Sequence, residues 1–156
     1  MTQLAPMTPI DYEEFRADSI VGFAQDKIAS GQWAASEADT LSAQEFHSLL
    51  PQGLNTPDNH LYRIVDGTGN KVGILWIAAK ERGGQRIAYV YDVGVLPSHQ
   101  RQGHAERAFA ALELEVKRLG LQGLALHVFG HNTGAHALYV KLGFVATNIN
   151  MFKPVA

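Results

Sequence analysis

The sequence predicts a mixed α/β fold in which helices sandwich a single sheet. Three observations carry this expectation. Two helical stretches open the chain, the middle switches to strand-like alternation broken by hairpin turns, and the last third reads strand, helix, strand, helix, strand.

Residues 8–30 read as the first helix, with Pro9 near its start and Gly31 just past its end. In the second helix, Ser36-Glu37-Ala38-Asp39 resembles a capping box with Asp in place of Glu or Gln. Leu41, Phe46, Leu49 and Leu50 follow before Pro51 stops it, and residues 53–59 read as loop. The period then changes. Residues 61–65 and 72–79 are strand-like and joined by the turn Asp66-Gly67-Thr68-Gly69-Asn70, and Gly83-Gly84 signals a second hairpin. Ile87, Tyr89, Tyr91, Val93 and Val95 alternate strictly along a long strand whose other face carries Ala88, Val90, Asp92 and Gly94. A glycine inside a strand marks a bulge or a close approach, which singles out Gly94.

The strongest helix follows. Ala105, Ala108, Phe109, Leu112, Val116 and Leu119 recur at spacings of three and four, and Gly120 supplies the stop. Residues 124–129 form a short buried strand, residues 132–142 a short helix closed by Gly143, and residues 144–155 a final strand.

With 156 residues, the chain fits one domain able to bury about 68–70% of its unfolded surface. It has no cysteine, so thiol nucleophiles, disulfides and Cys-zinc sites are excluded. Thirteen basic and 15 acidic residues leave a formal charge of −2, which argues against a nucleic-acid binder. The longest apolar run, residues 73–79, is far short of the ~20 needed to cross a bilayer. The start of the chain does not read as a signal peptide, so a cytoplasmic protein with no membrane partner is expected. His127, His131 and His136 are the densest histidine group, but their spacing fits no recognised ligand motif and no metal is expected.

The turn into the strongest helix reads Gln100-Arg101-Gln102-Gly103-His104-Ala105. Gly103 and the small Ala105 let an anion approach the backbone, where the first N–H groups of a helix lack partners and its dipole is positive. An ordinary strand-helix turn would use glycine in the same place. The turn is neither a Walker A loop nor a GxGxxG fingerprint.

Context adds to this. Residues 93–105, an apolar strand end, a link containing Pro97 and then Gln/Arg-x-x-Gly-x-Gly/Ala, resemble the signature of the GNAT superfamily of acetyl-CoA-dependent N-acetyltransferases. Asn132, Ala135, Leu138-Tyr139 and Lys141-Leu142-Gly143-Phe144 resemble that family's second run. The segments Leu49-Leu50-Pro51-x-Gly53-Leu54-x-Thr56-Pro57 and Leu126-His127-Val128-Phe129-x-His131-Asn132 look like a bacterial subgroup.

The resemblance implies a mixed sheet of six to seven strands flanked by about four helices, with a splayed central strand pair. It implies that Val93, Gly94 and Val95, bulged at Gly94, pair with the pantetheine arm of acetyl-CoA. Backbone groups of Gln100, Arg101, Gln102, Gly103, His104, Ala105 and Glu106 would hold the pyrophosphate, with the His104 side chain pointing outward, and Asn132 would contact the cofactor. Tyr139 would protonate the departing thiolate. Ala105 replaces a more usual glycine.

Direct attack of a neutral amine on a thioester needs no covalent enzyme intermediate, which suits a chain without cysteine. Two residues compete as base. His127 stands where a similar group acting on protein N-termini has a glutamate, and imidazole is chemically suited; packing against a neighbour is its other reading. Asp92 is the rival, or else a structural acceptor tying down the bulge. Trp33, His47 and His60 are candidate pocket residues, and Glu13, Glu14, Glu37, Asp39 and Glu45 either attract a cationic amine or form a solvated face. The acceptor is a small-molecule or peptide amine, and the assembly a monomer or homodimer. A domain that binds acyl-CoA without turnover is the alternative.

Overall fold

The computed structural model describes residues 1–156. In chain order its elements are β1 (Gln3–Pro6), α1 (Pro9–Ala29), α2 (Ala35–Leu49), β2 (Asn59–Val65), β3 (Lys71–Arg82), β4 (Gln85–Val95), α3 (His104–Arg118), β5 (Leu124–Leu126) and α4 (Thr133–Lys141). One five-stranded sheet runs β1-β2-β3-β4-β5, antiparallel except for the parallel β4–β5 pair.

Alternation along β2 and β3 sends side chains to two cores. Ile64, Val72, Leu75 and Ile77 pack with Ala108, Phe109, Leu112 and Val116 of α3 on one face. Leu61 and Trp76 meet Phe15 of α1 and Phe46 of α2 on the other. Each such side chain stabilises the fold by about 1.5–3 kcal/mol relative to exposure, so both layers are firmly attached. The buried Ser42 of α2 donates to the Ile20 carbonyl at 2.6 Å and fixes α2 against α1.

Several expectations need correction. The sheet has five strands, not six to seven. Strand β1, too short to give a periodic signal, was not anticipated, while residues 144–155 pair with nothing. Helix α2 starts at Ala35 on an N-cap at Ala34, so Ser36 lies inside the first turn and makes no cap. A capping box does form at the head of α1: the Thr8 hydroxyl accepts from the Asp11 N–H at 3.2 Å, and the Asp11 carboxylate accepts from the Thr8 N–H at 2.9 Å.

The bulge is also displaced. Trp76 faces Asp92 while Ile77 faces Val90, so Tyr91, and not Gly94, is the extra residue. Its ring stacks on Trp76 with centroids 4.5 Å apart, which gives the bulged residue a packing site. Gly94 stays in register with Ile74.

Candidate active site

Strands β4 and β5 hold together only from Ala88 opposite Leu124 to Val90 opposite Leu126. Beyond the bulge β4 continues to Val95 beside β3 alone. The gap between the diverging strands opens into a cleft of about 670 Å³. Asp92, Val93, Gly94 and Val95 form one wall; Leu126, His127, Val128 and Phe129 form the other, joined by Asn132, Ala135 and Tyr139 at the head of α4 and by α1 and α2 at the far end. The splayed pair is therefore present.

Glycine matters here at two positions with different consequences. A Cβ on Gly94 would meet nothing within 4 Å, so this stretch of backbone is open. A Cβ on Gly73 would stand 2.2 Å from the Gly94 carbonyl oxygen. The close backbone approach signalled by a strand glycine is thus made at Gly73.

Past β4 the chain turns through Pro97–His99 and enters α3. Arg101 (φ 62°) and Gly103 (φ 79°) both adopt the left-handed conformation, which curls the loop. Gly103 is the N-cap and supplies no side-chain acceptor; the first intrahelical bond runs from the Arg107 N–H to the Gly103 carbonyl at 3.1 Å. The N–H groups of residues 101–106 have no protein acceptor. They sit at the positive end of the α3 dipole.

Side chains brace this loop from behind. Gln100 Nε2 donates to the Val95 carbonyl at 3.0 Å. Arg107, which the sequence analysis missed, donates through Nη2 to the Gln102 carbonyl at 2.8 Å and through Nε to Thr2 Oγ1 at 2.9 Å. Thr2 Oγ1 also lies 3.1 Å from His104 Nδ1. His104 is only 8% exposed, contrary to the expectation that it points outward, because Thr2 and Arg107 satisfy its ring beneath the loop. Glu106 turns to Lys141 of α4 at 2.6 Å, and the side-chain Oδ1 of Asn132 caps α4 by accepting from the Ala135 N–H at 3.4 Å.

The candidate catalytic residues share the cleft. Asp92 accepts from the Ser19 hydroxyl at 2.9 Å. Although the residue is half-buried, its carboxyl is set deep enough that burial pushes its pKa above the carboxylate range, against the opposing bonds from Ser19 and the Val93 N–H; nearby Asp26 adds to the rise. Tyr139 packs edge-on against Phe109 and Phe144 at 5.8 and 5.7 Å. Burial, and then the charge of Asp92, raise its pKa. His127 is exposed at the lip, with its ring edge-on to Phe129 at 4.8 Å.

Trp33, His47 and His60 do not line the cleft. Trp33 packs edge-on against Phe23 at 5.5 Å, with the Lys27 ammonium 5.2 Å from its ring. His131 meets Asp26 at 2.9 Å, and no group of three or more histidine or carboxylate side chains is arranged to hold a metal ion. Of the acidic residues singled out in the sequence, Glu14 and Glu45 reach the cleft. Asp18, Ser19 and Asp26 also do, and were missed. The signal was available: Asp18, Gly22 and Asp26 recur every four residues along α1. Five carboxylates (Glu14, Asp18, Asp26, Glu45, Asp92) thus face two lysines (Lys27, Lys71).

Residues 16–144 match the family model described as the acetyltransferase (GNAT) family. An uncharacterized N-acetyltransferase of Bacillus subtilis, YycN, is 38% identical over 150 residues, spanning 94% of this chain and 96% of that one. A second from the same organism, YdgE, is 35% identical, spanning 96% of each. The crystal structure of YycN superposes with a TM-score of 0.95 at 35% identity, covering 100% of this chain and 99% of that one.

Proposed function

The chain belongs to the acetyltransferase (GNAT) family, and we propose that it transfers acetyl from acetyl-CoA to the primary amine of a cationic acceptor by direct attack in a ternary complex. One observation carries this reading: the unpaired edge of β4 runs directly into a loop whose amides, residues 101–106, have no protein acceptor. A ligand with an extended amide-bearing arm ending in a diphosphate fits that succession. Val93, Gly94 and Val95 would pair with the arm as strands pair, and Gly94 leaves it room. The amides of residues 101–106 would hold the diphosphate. Asn132, whose side-chain Oδ1 caps α4, keeps its NH2 group for the arm.

Acetyl-CoA supplies the acyl group already activated as a thioester. The chain then has three tasks. The five cleft carboxylates draw a cationic acceptor inward. The acceptor must next lose a proton, which at pH 7 costs about 4.6 kcal/mol for a lysine-like amine and about 1 kcal/mol for an α-amino group. Asp92 is the better-placed base, because its raised pKa brings it closer to the amine and it lies deeper than His127. His127 acts at the lip, where it can pass the proton to water.

Tyr139 serves the leaving group. A phenol near pKa 10 is a weaker acid than a thiol near 8.5, so full transfer to a thiolate runs uphill by about 2 kcal/mol. Burial of Tyr139 adds to that. Its role is hydrogen-bond donation to the sulfur as charge develops.

The test is a screen of polyamines, amino acids, N-terminal peptides and aminoglycosides with acetyl-CoA, scored by thiol release. The chain has no cysteine, so every thiol detected comes from CoA. Amine-dependent release supports the proposal. CoA binding without release for any amine class supports a binding module instead.

A further inference from the structure

Asp92 faces α1 only because of the bulge in β4. Before the bulge, Ala88 and Val90 point into the core beneath α3, while Tyr91 packs on the α1 and α2 side. Strict alternation would return Asp92 to the α3 side, into an apolar layer. The extra residue at Tyr91 instead sets Asp92 opposite Trp76, whose ring packs with Phe15 and Phe46. Val93 takes the place against the α3 core. Turned this way, the carboxyl meets Ser19, which lies four residues after Phe15 on the same side of α1.

That contact has no substitute. Ser19 is the only side chain that hydrogen-bonds Asp92, its hydroxyl donating to Oδ2 at 2.9 Å. No cation pairs with the carboxylate. Lys71 is held by Asp11 at 3.3 Å and Glu14 at 3.6 Å, and Lys27 donates to Gln32 at 2.9 Å. His127 is exposed at the lip. Asp18, Asp26 and Glu45 bring further carboxyls, with Asp26 engaged by His131, and Tyr89, Tyr91 and Tyr139 bring phenols. Burial and the charge of Asp26 favour the neutral acid at Asp92, whereas Ser19 and the Val93 N–H favour the carboxylate. Only the carboxylate can take a proton.

We propose that Ser19 is a positioning residue for Asp92: its hydroxyl fixes Oδ2, keeps the carboxylate ionised, and leaves Oδ1 to receive the acceptor's proton. The proposal rests on the reading of Asp92 as the base. A latched carboxylate presents one oxygen in one orientation, where a free one would swivel between two. The ammonium's first proton goes to Oδ1. The nitrogen's second proton, released as the C–N bond forms and the C–S bond breaks, ends on the departing thiolate.

Two measurements on the full chain, Ser19→Ala and Ser19→Thr test this. Carbon-13 NMR of labelled aspartate carboxyls follows Asp92, identified by the signal missing from Asp92→Asn. Loss of the hydroxyl should move the Asp92 titration to higher pH, and Ser19→Thr should bring it back, because threonine keeps the donor. With a verified acceptor, the acidic limb of the kcat profile should move the same way. On that limb kcat should fall about tenfold in Ser19→Ala, with the KM for acetyl-CoA unchanged. A substitution that merely loosened α1 would lower kcat evenly across pH and leave the titration in place, and that result would overturn the proposal. The carboxyl titration needs no acceptor, so an unmoved Asp92 signal refutes the role of Ser19 without touching the acetyltransferase reading. A titration that moves while the limb stays in place removes Asp92 as the base, and overturns the proposal together with the assignment it rests on.

Discussion

Gly73→Ala and Gly94→Ala should have opposite consequences, although the two glycines are neighbours on paired strands. At Gly73 the new methyl would stand 2.2 Å from the Gly94 carbonyl oxygen and 3.2 Å from Ile64 Cδ1. The oxygen belongs to backbone held in the β3–β4 ladder, next to the bond from the Leu96 N–H to the Val72 carbonyl at 2.7 Å. Relief requires the strands to part by about 1 Å. Overpacking of this kind costs about 1–3 kcal/mol, offset by the 0.5–1 kcal/mol that alanine gains over glycine in a strand. The net loss of about 1–2 kcal/mol lowers Tm by roughly 2–8 °C in a chain of this size. At Gly94 the methyl meets nothing, so stability should hold or rise slightly while CoA affinity falls, because the methyl occupies the approach of the arm. Differential scanning calorimetry and CoA titration on both variants separate the effects. A Gly73→Ala protein melting within 1 °C of the parent, or a Gly94→Ala protein binding CoA as well as the parent, would refute the reasoning.

Three further substitutions probe the site. Tyr139→Phe should reduce kcat at least tenfold while leaving the Kd for acetyl-CoA within twofold, measured by steady-state kinetics and calorimetry with a verified acceptor. Asp92→Asn should raise Tm near pH 7: a carboxyl whose folded pKa lies above its unfolded value makes the native state lose stability as pH climbs through that interval. The advantage should vanish below the ordinary carboxylate range, and melts at pH 3.5 and 7 will show whether it does. Arg107→Ala removes the bonds to Gln102 and Thr2, so CoA binding should weaken about tenfold with little change in secondary structure.

Much of the fold was legible because periodicity reports which face is buried. The repeats of α3 and the alternation of β4 placed those elements within about two residues. Strand β1, with four residues, is too short for a period, and its place at the sheet edge depends on distant pairing with β2. The final segment had a strand pattern and no partner within its own chain. Motif residues singled out the loop at Gly103 and Tyr139, whereas Asp92 was singled out by its place on β4 beside Gly94; that Asp92 and Tyr139 line one cleft needed the fold. Arg107 and Thr2 could not be read, because their link spans 105 positions and depends on how the start of the chain crosses the head of α3. Gly94 drew attention for a bulge that formed at Tyr91, since a bulge is fixed by where the Tyr91 ring can pack on Trp76 as well as by backbone freedom.

The central claim is that the loop entering α3 binds diphosphate through amides the protein leaves unpaired. Amide NMR of the labelled chain, titrated in turn with acetyl-CoA and with pantetheine, reads this directly. Acetyl-CoA should shift the resonances of residues 101–106 together with Val93, Gly94 and Val95, whereas pantetheine should shift only the strand. Saturation with acetyl-CoA that leaves residues 101–106 unmoved would contradict the account.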